Sequence, residues 1–119
     1  MKRPLTALLI APDDGMRHRV ETGAKTITIR EGHRDYRPGE LVMLCCHLVP
    51  WAVQTTLTDV RHCRLREVGE EEWLDDGFVS QDDLLTQMRR FYPKLTLDSE
   101  VTVIRWKDAR GALIERHEA

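Results

Sequence analysis

The alternation of apolar and polar positions divides the chain into five extended segments and a few short helical ones. Leu5 to Ala11 is a short apolar run of strand length. Pro12-Asp13-Asp14-Gly15 then supplies turn and N-cap chemistry, and Met16 and Val20 mark a short helix stopped at Gly23. Lys25 to Arg30 reads KTITIR, alternating and rich in β-branched residues, as a half-buried strand does. A two-residue period puts Ile27 and Ile29 on one face and Thr26, Thr28 and Arg30 on the other. A polar loop from Glu31 to Glu40 closes on a Pro38-Gly39 turn. Leu41 to Val49 is a strongly apolar strand; Pro50 breaks it, and Trp51 to Leu65 continues as a further β segment.

The second half is partly helical. Glu67 to Asp75 is an acidic helical stretch interrupted by Asp76-Gly77-Phe78. Ser80 caps the next helix, with Asp83 at its third position as a shortened capping box. Leu84, Leu85, Met88 and Phe91 give that helix an apolar stripe expected to face the core, and Pro93 stops it. Glu100 to Trp106 is the last strand, followed by a frayed or hairpin-like tail from Asp108. Five β segments with helices in two places predict a small α+β barrel of about five to six strands with two or three flanking helices, rather than a βαβ sheet.

Composition narrows the picture. With 119 residues the chain makes one domain, its core spanning about 3–107 and its tail 108–119. A content of 41% hydrophobic and 32% charged residues excludes intrinsic disorder. The net charge of -2 does not point to a polyanion partner, but 14 Arg against 4 Lys favours bidentate or stacking contacts in local patches. Three cysteines, two of them adjacent, form no disulfide framework and suit a reduced cytoplasm. Met-Lys-Arg before Leu5 faintly resembles a signal peptide, yet Asp13 and Asp14 stand where cleavage would fall, so the segment reads as a strand and no membrane span is expected. Cys45, Cys46, His47, His62 and Cys63 raise a zinc reading. Adjacent strand residues face opposite ways, and a hairpin near Pro50 would pair Cys45 with about Thr55, short of His62. Buried small apolar cysteines are the better account, and neither metal nor cofactor is expected. Trp51, Trp73 and Trp106 are read as packing residues.

The stretch Glu21-Thr22-Gly23-Ala24-Lys25-Thr26-Ile27-Thr28-Ile29-Arg30 resembles the signature of the ASCH domain family, in which a Gly stands two residues before a Lys and an Arg five after it. Arg37-Pro38-Gly39-Glu40 is similar to the family's turn into a strand, and Asp76-Gly77-Phe78 precedes a helix ending in Phe91-Tyr92-Pro93, in the family's order. The likeness spans residues 20 to about 105 and implies a PUA-like β-barrel. The Lys-Thr-Ile-Thr-Ile-Arg version resembles the bacterial N4-acetylcytidine amidohydrolases, whose catalytic Lys and Thr match Lys25 and Thr28. Their downstream Glu has no direct match: Asp76 is the nearest acid, and an ungapped alignment from Tyr92-Pro93 places Gly77 there.

What the resemblance implies is hydrolysis of the N4-acyl amide of a cytidine. That reaction needs attack on a carbonyl and protonation of the departing amine. Thr28 would be the nucleophile, Lys25 its base, and Asp76 the acid. A lysine serves as base when burial or a cationic neighbour lowers its pKa, and Arg30 is such a neighbour. Arg30, Thr26, Arg34 and Tyr36 are the expected substrate-binding residues. An ideal strand sets Lys25 and Thr28 on opposite faces, so they converge only if Lys25 sits in the bend after Gly23 or if a bulge intervenes. The plainer reading makes Lys25 a solvated strand-end lysine and Thr28 a surface β-former.

A second reading is a non-catalytic RNA-binding module, and a third a ribonuclease. His33, Arg34, Tyr36 and Arg37 combine cations with one stacking ring, as single-stranded RNA or a nucleoside would require. Arg61, His62, Arg64 and Arg66 would extend that groove, although Glu67 to Glu72 stand ready to pair with them. The expected partner is a small acylated nucleoside or RNA, and the expected state a monomer or weak dimer.

Overall fold

The structure is a computed structural model that describes the backbone of residues 6–9, 18–20, 22–46 and 51–112, with the side chains of 18–20, 22–42, 44 and 53–107. Among the described residues five strands appear: β1 (Thr6–Leu9), β2 (Ile27–Glu31), β3 (Leu41–Cys46), β4 (Trp51–Arg64) and β5 (Glu100–Ala112). A 3-10 turn, Leu65–Glu67, leads to helices α1 (Glu70–Asp75) and α2 (Gln81–Met88). The architecture is α+β.

The strands form one sheet in the order β1-β3-β4-β5-β2. β1 runs parallel to β3, and every other pairing is antiparallel. Among the described residues no pairing joins β1 to β2, so the sheet is open where the sequence predicts a closed barrel. Three register shifts in β4 against β5, the last between Leu57 and Asp59, bend the sheet without closing it. The β3–β4 register sets Cys45 opposite Ala52 and Val42 opposite Thr55, three residues away from the expected Cys45–Thr55 pairing. The hairpin turns earlier than Pro50 alone suggests, and its residues 47–50 lie outside the described ones. β5 runs on to Ala112, so the tail expected from Asp108 begins as strand, paired to β4 as far as Val53.

Each face of the sheet carries its own core. On one face Val20, Val42, Leu44, Val53, Leu57, Ile104 and Trp106 cluster, with Tyr36 and Val60 packed against them. On the other, Ile27, Ile29, Val101 and Val103 meet Leu65, Val68, Leu84, Met88 and Leu95 beneath the helices. The alternation in β2 and β5 explains the division, because neighbouring residues point to opposite faces. Leu84 is fully buried, so its truncation to Ala should cost about 2–5 kcal/mol. Phe91 departs from the expected stripe. It lies beyond the end of α2, where the chain has left the helical path, and is 65% exposed.

Local chemistry fixes the helix ends as the sequence foretells. The Ser80 hydroxyl accepts the Asp83 N–H at 3.0 Å, while the Asp83 carboxylate accepts the Val79 N–H at 3.0 Å. At the end of α1, Gly77 has φ +94°, its N–H bonds the Leu74 carbonyl, and the Phe78 N–H bonds the Trp73 carbonyl. This is a Schellman stop, which needs a left-handed residue just past the C-cap. The Asp76-Gly77-Phe78 interruption is therefore built by backbone geometry.

Candidate active site

Gly23, with φ +84°, ends the helical turn at 18–20, and the chain then bends into β2. Lys25 lies in that bend, two residues before the strand begins. Its N–H is held by the Arg19 carbonyl at 2.9 Å. The plainer expectation of a solvated lysine fails: Lys25 is 3% exposed. Its Nζ donates to the Asp76 carboxylate and, at 2.6 Å, to the Ile27 carbonyl. Asp76 is 9% exposed and stands on the turn that closes α1.

The Ile27 carbonyl is available for a simple reason. In an antiparallel pair, alternate residues turn their backbone groups toward the partner strand. Thr26 O accepts the Trp106 N–H and Gly32 N donates to Glu100 O, so the even residues of β2 face β5. The odd ones face off the edge of the sheet, where β2 is the last strand. Lys25 caps that open edge beside the peptide unit that leads into Thr28.

Thr28 lies opposite Ile104, and Arg30 opposite Thr102. Directly opposed residues share a face, so Thr28 and Arg30 look toward the Val20–Trp106 core. Thr28 is 6% exposed and Arg30 half-buried. Thr26 is half-buried, and Tyr36 packs on the same core cluster from the loop. The Trp106 indole N–H is buried and meets no acceptor among the described residues. Arg34 is different. Its side chain is exposed and turns back to donate from Nε to the Glu31 carbonyl at 2.8 Å. The structure thus unites Lys25 with Asp76, sets Thr28 and Arg30 side by side on one strand face, and leaves Arg34 at the rim.

Burial is the dominant influence on both members of the pair. It pushes the Lys25 amine below its ordinary value and the Asp76 carboxyl above its own, each partly opposed by the other's charge. Arg30 and Arg19 act on both groups and make either less willing to hold a proton. The pair shares one proton in two arrangements: ammonium with carboxylate, or free amine with carboxylic acid. The second arrangement places a base and an acid in hydrogen-bond contact, which is the equipment for general acid–base chemistry.

Sequence reasoning missed Arg19. Only its carbonyl and its place over the Gly77 backbone bring it to the site, and no periodicity signals either. The rim holds another unforeseen contact: the His33 and His62 rings stack with centroids 3.8 Å apart, and His33 Nδ1 lies 3.5 Å from Glu100. His62 Nε2 bonds the Arg34 carbonyl at 2.9 Å, joining the two basic sets. Arg61 leaves them to pair with Glu72 on the helix side. Among the described residues no group of three or more potential ligands gathers as a metal centre, and no helix is long and apolar enough to cross a membrane.

No family model and no curated protein matches the chain in sequence. Solved structures do match in shape. An ASCH domain of Lactobacillus crispatus JV V101 superposes with a TM-score of 0.69 at 13% identity, covering 93% of this chain and 80% of the other. A mutant ASCH protein of Zymomonas mobilis gives 0.65 at 12% identity, covering 91% and 72%. A protein of Enterococcus faecalis V583, described by the family model DUF984, gives 0.66 at 12% identity, covering 100% and 88%. Identity this low speaks to architecture alone, and on that ground the chain has the fold of an ASCH domain.

Proposed function

We propose that this protein is an ASCH-family hydrolase that removes an N4-acyl group from a cytidine. The observation that carries the reading is the buried Lys25–Asp76 pair at the start of the strand bearing Thr28. Placing two ionisable groups out of water is costly, and such a pair seldom adds stability over an apolar one. Its use is chemical. With the shared proton on Asp76, the Lys25 amine is free to take the Thr28 hydroxyl proton as oxygen attacks the acyl carbonyl. Asp76 then protonates the departing cytosine nitrogen. Water resolves the acyl-Thr28 ester, releasing a carboxylic acid and restoring the hydroxyl. Arg30, on the same face as Thr28, holds the substrate with Thr26 and Tyr36, and Arg34 contacts its outer edge.

Purified protein incubated with N4-acetylcytidine should release cytidine, and Lys25→Ala should lower the rate by about 10²–10⁴-fold. No turnover above that of Lys25→Ala would refute the assignment.

The stacked His33 and His62 beside Arg34 favour RNA binding as the second reading. It predicts affinity for single-stranded RNA that falls steeply with salt. Flat salt dependence would remove it.

A further inference from the structure

Arg19 reaches both segments that carry the buried pair, from opposite ends of the residue. Its carbonyl accepts the Lys25 N–H at 2.9 Å and the Thr22 hydroxyl at 3.3 Å, fixing the bend before β2. Its guanidinium lies where a side chain on Gly77 would stand. A Cβ built there would meet Nη2 at 3.0 Å, Nη1 at 3.6 Å and Cζ at 3.7 Å. Gly77 also has φ +94°, so any other residue would be strained as well as crowded. The turn presents bare backbone with a planar cation laid on it, one residue from the acid.

We propose that Arg19 is a positioning residue of this site: seated on Gly77 in place of a side chain, its guanidinium holds the Asp76 turn against the Lys25 bend and stands as a permanent cation beside the pair. The inference rests on the reading of Lys25 as base and Asp76 as acid, and it adds the element that holds them together and contributes to their protonation.

The charged groups acting on Lys25 are Asp76 from the α1 turn, Arg30 from β2 and Arg19 from the helical turn. The Arg19 guanidinium brings a positive field to the pair. That field opposes a proton on either member. It eases loss of the proton from Lys25, as a lysine base requires.

The chain has four lysines, so the Lys25 side chain can be followed by NMR in protein carrying carbon-13 at lysine Cε, with Lys25→Met assigning the signal. In Arg19→Met the Lys25 midpoint should rise, because a cation that opposes its proton is gone. Arg19→Lys keeps the charge and should restore the wild-type midpoint. Arg19→Gln, which removes the charge and keeps a polar side chain, should reproduce the Arg19→Met shift and carries the test if that variant fails to fold. An unmoved Lys25 midpoint in folded Arg19→Met or Arg19→Gln overturns the proposal. A shifted midpoint in a protein that never deacylates N4-acetylcytidine would retain Arg19 as organiser of the pair and discard the hydrolase reading. Turnover with an unmoved midpoint would do the reverse.

Discussion

The Lys25–Asp76 contact can be tested by a double-mutant cycle of Lys25→Met, Asp76→Asn and the two combined. Lys25 and Asp76 are 3% and 9% exposed, so water does not replace a lost partner. Removing one member of a buried pair typically costs about 3–5 kcal/mol. The lower end applies here. After Asp76→Asn the amine keeps its bond to the Ile27 carbonyl, and after Lys25→Met the carboxyl can neutralise by holding its proton. A loss of about 3 kcal/mol is a large share of the roughly 5–15 kcal/mol that folds a domain. With a urea m-value of about 1–3 kcal/mol per molar, it moves the unfolding midpoint by about 1–3 M. The combined variant leaves an amide beside a thioether and no buried charge, so it should recover much of the loss. The expected coupling is about 0.5–3 kcal/mol. Deacylation should stay about 10²-fold or more below wild type in all three, the recovered double variant included, which separates folding from chemistry. If the two single losses simply add, the groups do not meet in solution and the base–acid reading has no foundation.

The rate of N4-acetylcytidine hydrolysis against pH should form a bell, highest while the pair holds one proton. Because burial raises Asp76 and lowers Lys25, the acid limb should lie above the ordinary carboxylate value of 3.8 and the alkaline limb below the ordinary lysine value of 10.5. Limbs at or outside those values would show that the pair titrates as if exposed. Thr28→Val keeps β-branching at a position 6% exposed, so it should unfold normally in urea yet lose hydrolysis, whereas Thr28→Ser should retain measurable rate. Equal activity of Thr28→Val and wild type would remove Thr28 as nucleophile. Ser80→Ala should cost about 1 kcal/mol by removing the α2 cap, while Phe91→Ala should stay within about 0.5 kcal/mol because that ring is largely exposed; thermal melts of the two variants check both.

Much of the architecture is legible because it is local. KTITIR states its own period, Ser80 and Asp83 state the α2 cap, and Gly23, Gly39 and Gly77 stand at positive-φ positions. Closure of the sheet is another matter. Whether β1 and β2 meet depends on how far β4 coils, and its register shifts follow from long-range pairing that no single segment encodes. Phe91 was misjudged for a related reason: helical spacing continues on paper past Met88, but the helix stops there and the stripe loses its geometry. In the site, Lys25 was legible as a residue needing a bend, and Gly23 announced that bend. Its burial was not, since nothing near Lys25 in sequence reveals that the turn ending α1, 51 residues away, brings a carboxylate to its Nζ.

On the proposed reading, that turn also explains why the acid would stand at 76. An ungapped alignment puts Gly77 where the amidohydrolases carry Glu, which looks like loss of the catalytic acid. Yet residue 77 closes a Schellman stop at φ +94°, and its side-chain space is filled by the Arg19 guanidinium. A glutamate there would be strained and would crowd the Arg19 guanidinium. One step earlier, Asp76 is the C-cap of α1, with backbone in a region open to any residue, and its carboxylate reaches Lys25. The position adds an influence of its own. The C-terminus of a helix carries partial negative charge, which favours the protonated form of a carboxyl, modestly so for a helix of 6 residues. Burial acts in the same sense and the cations Arg19 and Arg30 act against it. With both influences on one side chain, Asp76 can hold the shared proton and still release it, and an acid that must protonate a leaving nitrogen and then recover needs both abilities. On the proposed reading the acid is displaced by one residue, and the displacement follows from how α1 has to end.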